Sequence, residues 1–277
     1  MTDSIRRLCG YSRPRLGPLA FKTYFRFAPD VAVKELFPGI RVRLNFKDDA
    51  CRETWWRGYR YEHPLPLLLQ RLCATGVDTF FDIGANYGFF SYLVLSQCPD
   101  VNVFSFEPNP HNFAIQSDAK TRNALAHFHP QNLGLSNESG ELDLTVELNH
   151  SGHSVFGPEH PDFNRDKSKF GTYRIPVVRF DDWLKKQTGM RVSNAIVKMD
   201  IEGFEVRALG GMSQALSNNL FKALIVEVYA PTLRLCATSP AELGDFLAGF
   251  GYFPFDLFLR PTSIRSDDAR NLVFLRK

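Results

Sequence analysis

Short apolar runs and amphipathic stretches alternate along this chain from about residue 64 onward. Apolar residues recur every three or four positions after Pro64 and Pro66, which predicts a helix that ends at Gly76. Further helices are predicted between buried strands. The predicted strands of this part lie near residues 78–82, 101–106, 127–135, 195–199, 223–228, 252–258 and 271–276. Strands that alternate with helices indicate a mostly parallel sheet with helices on both faces.

Two segments depart from this alternation. Residues 140–180 combine alternating apolar positions with a polar loop, and we interpret them as a small β-rich insertion. The last two strands have no helix between them, which predicts an antiparallel hairpin at one edge. The expected fold is therefore a doubly wound α/β domain with a seven-stranded, mostly parallel sheet, an antiparallel C-terminal hairpin and a β-rich insertion.

The N-terminal part has a different character. Its first forty residues contain four prolines and are predicted to be irregular, followed by a strand at residues 41–46. We expect an N-terminal basic and aromatic extension at 1–58 and the main domain at 59–277. Within that domain we expect Asp181 to cap a short helix, and one continuous helix to carry the stripe of Val206, Leu209, Met212 and Leu216.

Composition excludes several classes of protein. The chain has 277 residues, of which 44% are hydrophobic and 13% aromatic, so it is too apolar to be mainly disordered. No apolar run approaches the roughly 18 residues that a membrane span needs, and the first residues lack the apolar core of a secretory signal. Five scattered cysteines without a CxxC motif indicate reduced thiols, and hence a cytoplasmic protein.

Charge adds little to this picture. The formal net charge is +3, which is too small to predict binding to nucleic acid. Residues 1–30 hold six basic against two acidic side chains, so this arm could contact phosphates or anionic lipid. We favour the interpretation of a solvated arm.

A glycine-containing turn gives the sharpest local signal. The segment 80–88 leads from a strand into a helix, with Gly84 allowing a tight turn and Gly88 allowing the helix to approach the strand. The next strand ends at Glu107, 25 residues after Asp82. An acid at this place and near this spacing is where a carboxylate accepts hydrogen bonds from the ribose of an adenosine ligand.

The turn favours one adenosine ligand over another. Nicotinamide-binding folds prefer G-x-G-x-x-G, whose middle glycine admits a pyrophosphate. Here Ala85 and Asn86 occupy that region, and Asp82 stands two residues before the turn. A carboxylate there opposes a pyrophosphate and favours a ligand with an ammonium and a sulfonium. The electrostatics therefore point to S-adenosylmethionine rather than NAD.

Acidic residues also follow later strands. Asp200 and Glu202 follow the strand at 195–199, and Glu227 ends the strand at 223–228. The carboxyl ends of parallel strands line the ligand crevice of a doubly wound sheet. We therefore expect Asp82, Glu107, Asp200 and Glu227 on one rim. A solvated network of ion pairs around Lys198 is the alternative interpretation.

Taken together, these segments resemble the FkbM-type family of S-adenosylmethionine-dependent methyltransferases. The matching pieces are Tyr61-Glu62, Asp82-Ile83-Gly84-Ala85-Asn86-Tyr87-Gly88, Phe106-Glu107-Pro108-Asn109-Pro110, Leu135-Ser136 before Gly140, Phe180-Asp181-Asp182 and Lys198-Met199-Asp200-Ile201-Glu202-Gly203-Phe204-Glu205. The resemblance implies a Rossmann-like fold and methylation of hydroxyl groups on sugars, glycolipids or small natural products.

The resemblance also implies roles for individual residues. The methionine part of the cofactor would contact Asp82, Gly84, Asn86 and Gly88, with Glu62 nearby, and Glu107 with Pro108 would hold the ribose. Asn132 and Leu133 would lie beside the adenine, and Asp200 would face the methyl group. The chain departs from the family at 150–154, His-Ser-Gly-His-Ser, which we interpret as a substrate-specific loop.

A sugar hydroxyl is a poor acid, so methyl transfer to it needs a general base or a bound metal. Asp200 and Glu227 are candidates for the base by position, and His153 is a candidate by chemistry. The same carboxylates could hold Mg²⁺, although no carboxylate spacing specifies a metal, and we assign no metal ligand.

Other functions stay open at this point. An NAD(P)-dependent oxidoreductase or sugar-modifying enzyme on a similar fold and a catalytically silent cofactor-binding protein are the alternatives. The expected partner is a hydroxylated small molecule or glycan, with no nucleic acid and no membrane span. An exposed apolar edge could support a homodimer.

Overall fold

The strands of the protein form three sheets in a computed structural model that describes residues 18–150, 152, 154–156 and 167–276. In chain order they are β1 (Val31–Phe37), β2 (Ile40–Asn45), β3 (Thr79–Ile83), β4 (Asn102–Phe106), β5 (Phe128–Gln131), β6 (Gly134–Leu135), β7 (Gly140–Glu147), β8 (Ser154–Phe156), β9 (Phe170–Val178), β10 (Ala195–Met199), β11 (Phe221–Tyr229), β12 (Tyr252–Phe255) and β13 (Ala269–Arg276).

Helices connect most of these strands. They are α1 (Pro18–Phe27), α2 (Asp49–Arg57), α3 (Leu65–Cys73), α4 (Phe89–Gln97), α5 (Pro110–Arg122), α6 (Phe180–Lys185), α7 (Glu205–Gly210), α8 (Ser213–Ser217), α9 (Ala230–Leu235) and α10 (Pro240–Ala248). Capping side chains fix two of the starts. Asn109 accepts a hydrogen bond from the backbone of His111 before α5. Ser239 caps α10, because its Oγ accepts from the backbone N–H of Glu242 and its hydroxyl donates to the Glu242 carboxylate.

The central sheet has seven strands in the order β12-β13-β11-β10-β3-β4-β5. The five strands from β11 to β5 are mutually parallel, and β13 lies antiparallel between β11 and β12. The expected doubly wound, mostly parallel sheet with an antiparallel C-terminal hairpin is confirmed. The hairpin does not simply extend the edge, because β13 inserts beside β11 and leaves β12 outermost.

Strand alternation distributes the apolar side chains between two layers. On β3, Phe80 belongs to one core cluster and Phe81 to the other, and on β10 the same holds for Ile196 and Val197. All five residues of each of these strands are buried. Continuous apolar runs therefore arise because both faces of the parallel sheet are covered by helices.

The β-rich insertion forms a second sheet in the order β6-β9-β7-β8. The single strand predicted near residues 127–135 is in fact divided: β5 pairs with β4 in the central sheet, and β6 pairs with β9 in the second sheet. The chain leaves one sheet and enters the other within this short segment. The short connection between β5 and β6 therefore joins the insertion to the central sheet.

The N-terminal prediction was partly wrong. Residues 18–27 are helical, and β1 pairs antiparallel with β2, so the segment before residue 40 is not irregular as far as it is described. Aromatic packing explains the order, since Phe25 packs against Phe46 and Trp56 with ring centroids 5.1 and 6.2 Å apart. Of the basic arm at 1–30, residues 1–17 lie outside the described residues, so the interpretation of a solvated arm stays a prediction.

A second correction concerns the helix expected after β10. The chain forms two short helices, α7 and α8, because it bends at Gly210-Gly211. A Cβ atom on Gly211 would lie 2.1 Å from the backbone oxygen of Ser136, so only glycine allows this approach. Asp181, expected to cap its own helix, instead accepts hydrogen bonds from the backbone of Gln214 and Ala215 at the start of α8.

Within the described ranges, none of the helices combines the length and the apolar character that crossing a lipid bilayer requires.

The buried cap at Asp181 gives a first testable prediction. Asp181 is 3% exposed, and Asp181→Ala removes the acceptor of two backbone N–H groups. We expect the free energy of unfolding to fall by about 1–3 kcal/mol. The matched control is Asp182→Ala, whose ion pairs with Arg179 and Lys185 are long and exposed, with an expected change below about 0.5 kcal/mol. Urea denaturation of both variants measures the difference, and equal losses would contradict the assignment of the cap.

Candidate active site

A pocket lies at the carboxyl ends of the central parallel strands. Gly84, Glu107 and Asp200 come directly after β3, β4 and β10, and Glu227 lies two residues before the end of β11. All four line one cavity of about 220 Å³. The remaining lining comes from sequence neighbours of these four residues and from the segments at 61–62 and 144–156. These residues are Tyr61, Glu62, Ala85, Asn86, Tyr87, Phe89, Phe90, Pro108, Leu144, His150, Gly152, Ser154, Phe156, Lys198, Ile201 and Glu202.

The turn after β3 needs its glycines. Gly84 has a φ of +76°, and a Cβ atom there would lie 1.8 Å from the backbone oxygen of Asp200. The backbone N–H of Asp200 also donates to the carbonyl oxygen of Ile83 at 3.0 Å. Gly88 has a φ of +98° and stands directly before α4, where a side chain would strike the ring of Tyr92. The glycine turn therefore brings the ends of β3 and β10 into contact.

Glu107 joins the second strand end to this turn. Its side chain is 4% exposed, and its two oxygens accept hydrogen bonds from the backbone N–H groups of Asn86 at 2.7 Å and Asn109 at 2.8 Å. Burial raises the pKa of Glu107 to about 8 despite these bonds. A carboxylate offers about four lone pairs, so each oxygen can accept a further hydrogen bond from a ligand.

The two residues predicted to lie beside an adenine occupy supporting positions. The amide of Asn132 donates to the carbonyl oxygens of Glu107 at 2.9 Å and Pro108 at 3.1 Å. Leu133 is half-buried and packs against the second core layer. Pro108 lines the pocket, whereas Asn132 and Leu133 are not among the residues that line it. Asn132 thus holds the backbone that carries Glu107.

Asp82 is fully buried behind the pocket and is not among its lining residues. One oxygen accepts from the backbone N–H of Ser91 at 3.0 Å and from its hydroxyl at 2.7 Å, and the other has no hydrogen-bond partner. Burial raises the pKa of this carboxyl above its usual value. In register, Asp82 stands directly beside Lys198 of β10.

Lys198 is the one lysine or arginine among the described residues that line the pocket. It is 3% exposed, its Nζ lies 2.7 Å from Oδ2 of Asp200, and it lies over the ring of Phe90 at 4.9 Å. Burial opposes its charge, but nearby carboxylates outweigh burial and raise its pKa above the usual value. The sequence alone indicates Lys198 only as the centre of an alternative network of ion pairs and assigns it no catalytic function.

Asp200 also belongs to a cluster of three acids. Oxygen atoms of Asp200, Glu202 and Glu227 all lie within 4.8 Å of one another. The charge of Asp200, followed by burial, raises the pKa of Glu227 to about 10, and burial followed by Asp200 raises that of Glu202 to about 8. This proximity does not by itself distinguish a Mg²⁺ site from a cluster of carboxyl groups that share protons, so the expectation of Mg²⁺ gains no support.

Unusual backbone conformations concentrate at this pocket. Glu62, Asn86 and Glu202 are lining residues other than glycine with φ values of 51°, 52° and 53°. The left-handed region is unfavourable for such residues and is found preferentially at functional sites. For Asn86, the backbone bond to Glu107 holds this conformation.

The insertion closes part of the pocket. His150, Gly152, Ser154 and Phe156 line it, whereas His153 lies outside the described residues. The role of the 150–154 loop as a substrate-specific element stays a prediction. Phe156 is held against Phe204 with ring centroids 5.0 Å apart. Sequence reasoning missed Phe156 because no local motif marks a residue that reaches the site from a second sheet.

Comparison with known proteins places this geometry in a family. A family model described as the methyltransferase FkbM domain matches residues 82–254, more than half of the chain. The chain is also 29% identical over 187 residues to the hexuronic acid methyltransferase AglP of Haloferax volcanii, covering 67% of this chain and 70% of that protein.

Solved structures with a similar outline include a precorrin-6y C5,15-methyltransferase from Geobacter metallireducens, at 10% identity and a TM-score of 0.40 over 76% of this chain and 87% of that one. A SAM-dependent methyltransferase from Agrobacterium tumefaciens has 7% identity and a TM-score of 0.44 over 89% and 70% of the two chains. The assignment depends on the family match rather than on these structures. With the predicted motifs in their expected order around one pocket, the chain belongs to the FkbM methyltransferase family.

Proposed function

We propose that the protein transfers a methyl group from S-adenosylmethionine to a hydroxyl group of a sugar or a similar hydroxylated acceptor. The observation that carries this proposal is the buried carboxylate of Glu107 beside the glycine turn, in a pocket whose other strand ends are also acidic. A carboxylate in this place suits the two hydroxyl groups of a ribose. Acidic strand ends suit a ligand that carries a sulfonium and an ammonium group.

The residues present fit this cofactor better than a dinucleotide. A pyrophosphate would need a glycine within this turn and no acid nearby. The turn instead has Ala85 and Asn86 at these positions, and Asp82 stands just before it. Glu62 lines the pocket, and its Oε2 is buried without a hydrogen-bond partner, so it can accept from an ammonium group. Glu107 would hold the ribose, and Asp200 would lie nearest the reacting methyl group.

When bound, the cofactor supplies an electrophilic methyl group on a positively charged sulfur. The protein must hold the acceptor oxygen in line with that group and take its proton. Asp200 is the better base of the two carboxyl candidates, because it is salt-bridged to Lys198, whereas Glu227 holds a proton at neutral pH. A protonated Glu227 can donate a hydrogen bond to the acceptor.

Two observations support a sugar acceptor. The relative from Haloferax volcanii is named for a hexuronic acid, and both carboxyl groups and aromatic rings line the pocket. The excess of carboxyl groups over basic side chains favours an uncharged sugar ring over a free uronic acid. His150, Ser154 and Phe156 of the insertion would contact the acceptor.

Cofactor binding gives the first test of this proposal. Glu107→Gln removes the charge that would accept from the ribose, and we expect the affinity for S-adenosylmethionine to fall by roughly ten- to a hundredfold. The matched control is Glu138→Gln on the exposed insertion, which should leave the affinity unchanged. Calorimetric titration with S-adenosylmethionine, and with NAD in parallel, measures the effect. Binding of NAD without binding of S-adenosylmethionine would overturn the proposal.

The pH dependence of this binding follows from the raised pKa of Glu107, about 8. Below this pH the carboxyl is protonated, and each bound cofactor must first displace that proton. The contribution of Glu107 to affinity should therefore rise with pH by about tenfold per unit between pH 6 and 7 and level off above 8. The difference in affinity between wild type and Glu107→Gln isolates this contribution. A difference that does not vary with pH would contradict it.

Methyl transfer itself separates the two carboxyl candidates. Asp200→Asn should lower kcat by about 10²–10⁴-fold on any accepted sugar, because the proton acceptor is lost. Glu227→Gln keeps a neutral hydrogen-bond donor and should lower kcat by about tenfold or less. Formation of S-adenosylhomocysteine on neutral methyl glycosides and on glucuronic acid measures both. A larger loss for Glu227→Gln would reverse the assignment.

A further inference from the structure

Lys198 is a buried cation whose surroundings are almost entirely acidic. Carboxyl groups reach it from different elements: Glu62 before α3, Asp82 on β3 and Asp200 after β10. Its ammonium is 2.7 Å from Oδ2 of Asp200, and Phe90 covers it from α4. A lysine with 3% exposure is rare unless its charge is paired, so this cation is held in place by the acids around it.

The strand register makes this arrangement rigid. Lys198 pairs in parallel with Asp82 on one side and with Ile225 on the other, so its side chain leaves the sheet beside that of Asp82. Asp200 comes directly after β10, two residues beyond Lys198, and its carboxylate contacts the Lys198 ammonium at 2.7 Å. The direction from Lys198 to Asp200 is thus fixed by the backbone of β10.

The carboxylate of Asp200 has two kinds of neighbour, the ammonium of Lys198 and two further carboxyl groups. Oδ2 receives the hydrogen bond from Lys198. The carboxylate also belongs to the cluster in which oxygens of Asp200, Glu202 and Glu227 lie within 4.8 Å. Carboxyl groups this close do not all ionise, and one of them retains a proton unless a cation compensates.

We infer that Lys198 is a positioning residue for methyl transfer, which compensates the negative charge of Asp200 through their salt bridge and holds its carboxylate in place for the acceptor hydroxyl. This inference rests on the proposed function. In the step, the O–H bond of the acceptor breaks and its proton passes to Asp200. The new C–O bond forms as the bond between sulfur and methyl breaks, and that electron pair stays on the sulfur of S-adenosylhomocysteine.

The protons in this cluster are distributed among groups from several elements. The charged or titratable side chains around Asp200 are Tyr61 and Glu62 before α3, Asp82 on β3, Lys198 on β10, Glu202 after β10, Glu205 on α7, Glu227 on β11 and His150 of the insertion. Lys198 is the permanent cation of the set. Without it, Asp200 would compete with Glu227 and Glu202 for the shared proton.

The test is Lys198→Met, which keeps the length and removes the charge, with Lys198→Arg as the matched control. Loss of the cation weakens ionisation of a neighbouring carboxyl by roughly ten- to a thousandfold. For the methionine variant we therefore expect kcat at pH 7 to fall by about tenfold or more and to recover as the pH rises. The affinity for S-adenosylmethionine should change by about threefold or less, since the proton taken up by Asp200 replaces the lost charge of the ammonium. The arginine variant should retain the pH profile of the wild type.

A double-mutant cycle separates positioning from a general structural role. In the Asp200→Asn background, Lys198→Met should change kcat by about twofold or less, because its target is already neutral. This double variant also removes both charges of the pair, so it tests the idea even if Lys198→Met alone does not fold. The same fold-loss in both backgrounds, or an unchanged pH profile in the single variant, would overturn the inference.

A second readout needs no acceptor. Titration with S-adenosylmethionine in buffers of different ionisation enthalpy counts the protons released on binding. At pH 7 we expect Lys198→Met to release about half to one proton more than the wild type, since Asp200 must then lose a proton as the sulfonium binds. An equal proton count overturns the role of Lys198. If this proton difference is present but the wild type transfers methyl to no sugar, the result would instead overturn the proposed acceptor.

Discussion

The burial of negative charge at one end of the central sheet is the constraint on which the rest of the site depends. Asp82 and Glu107 are almost inaccessible to solvent, and Asp200, Glu202 and Glu227 crowd together beside them. Such a cluster is costly unless each group is protonated, hydrogen-bonded or paired with a cation. The protein uses all three means: raised pKa values, backbone N–H donors and the buried ammonium of Lys198.

This solution requires the ends of neighbouring strands to lie very close together. Gly84 lets the turn after β3 touch the backbone of Asp200, and Glu107 reaches across to the N–H of Asn86 in the same turn. The two apolar core layers hold the strands in the register that produces these contacts. The strain of left-handed residues such as Asn86 and Glu202 is compensated by this surrounding structure.

The segments outside the central sheet complete the pocket rather than create it. The N-terminal part supplies Tyr61 and Glu62, and the insertion supplies His150, Ser154 and Phe156. The strand ends thus supply most of the acidic lining residues, and the two attached segments supply further lining residues. Under the proposed function, the chemistry of methyl transfer would reside at the strand ends, and the attached segments would recognise the acceptor.

The sequence by itself determined the strand and helix alternation, the glycine turn, Glu107 and the acidic strand ends, because each of these depends on local spacing. It also pointed to the family through motifs in a fixed order. Only the tertiary structure decided that Asp82 lies behind the pocket, that Asn132 supports Glu107 and that Asp181 caps a helix far along the chain. Phe156 and the pairing of Lys198 with its acids likewise depend on contacts between distant segments. Local patterns carry no information on such distances, since these contacts arise only when the sheets assemble.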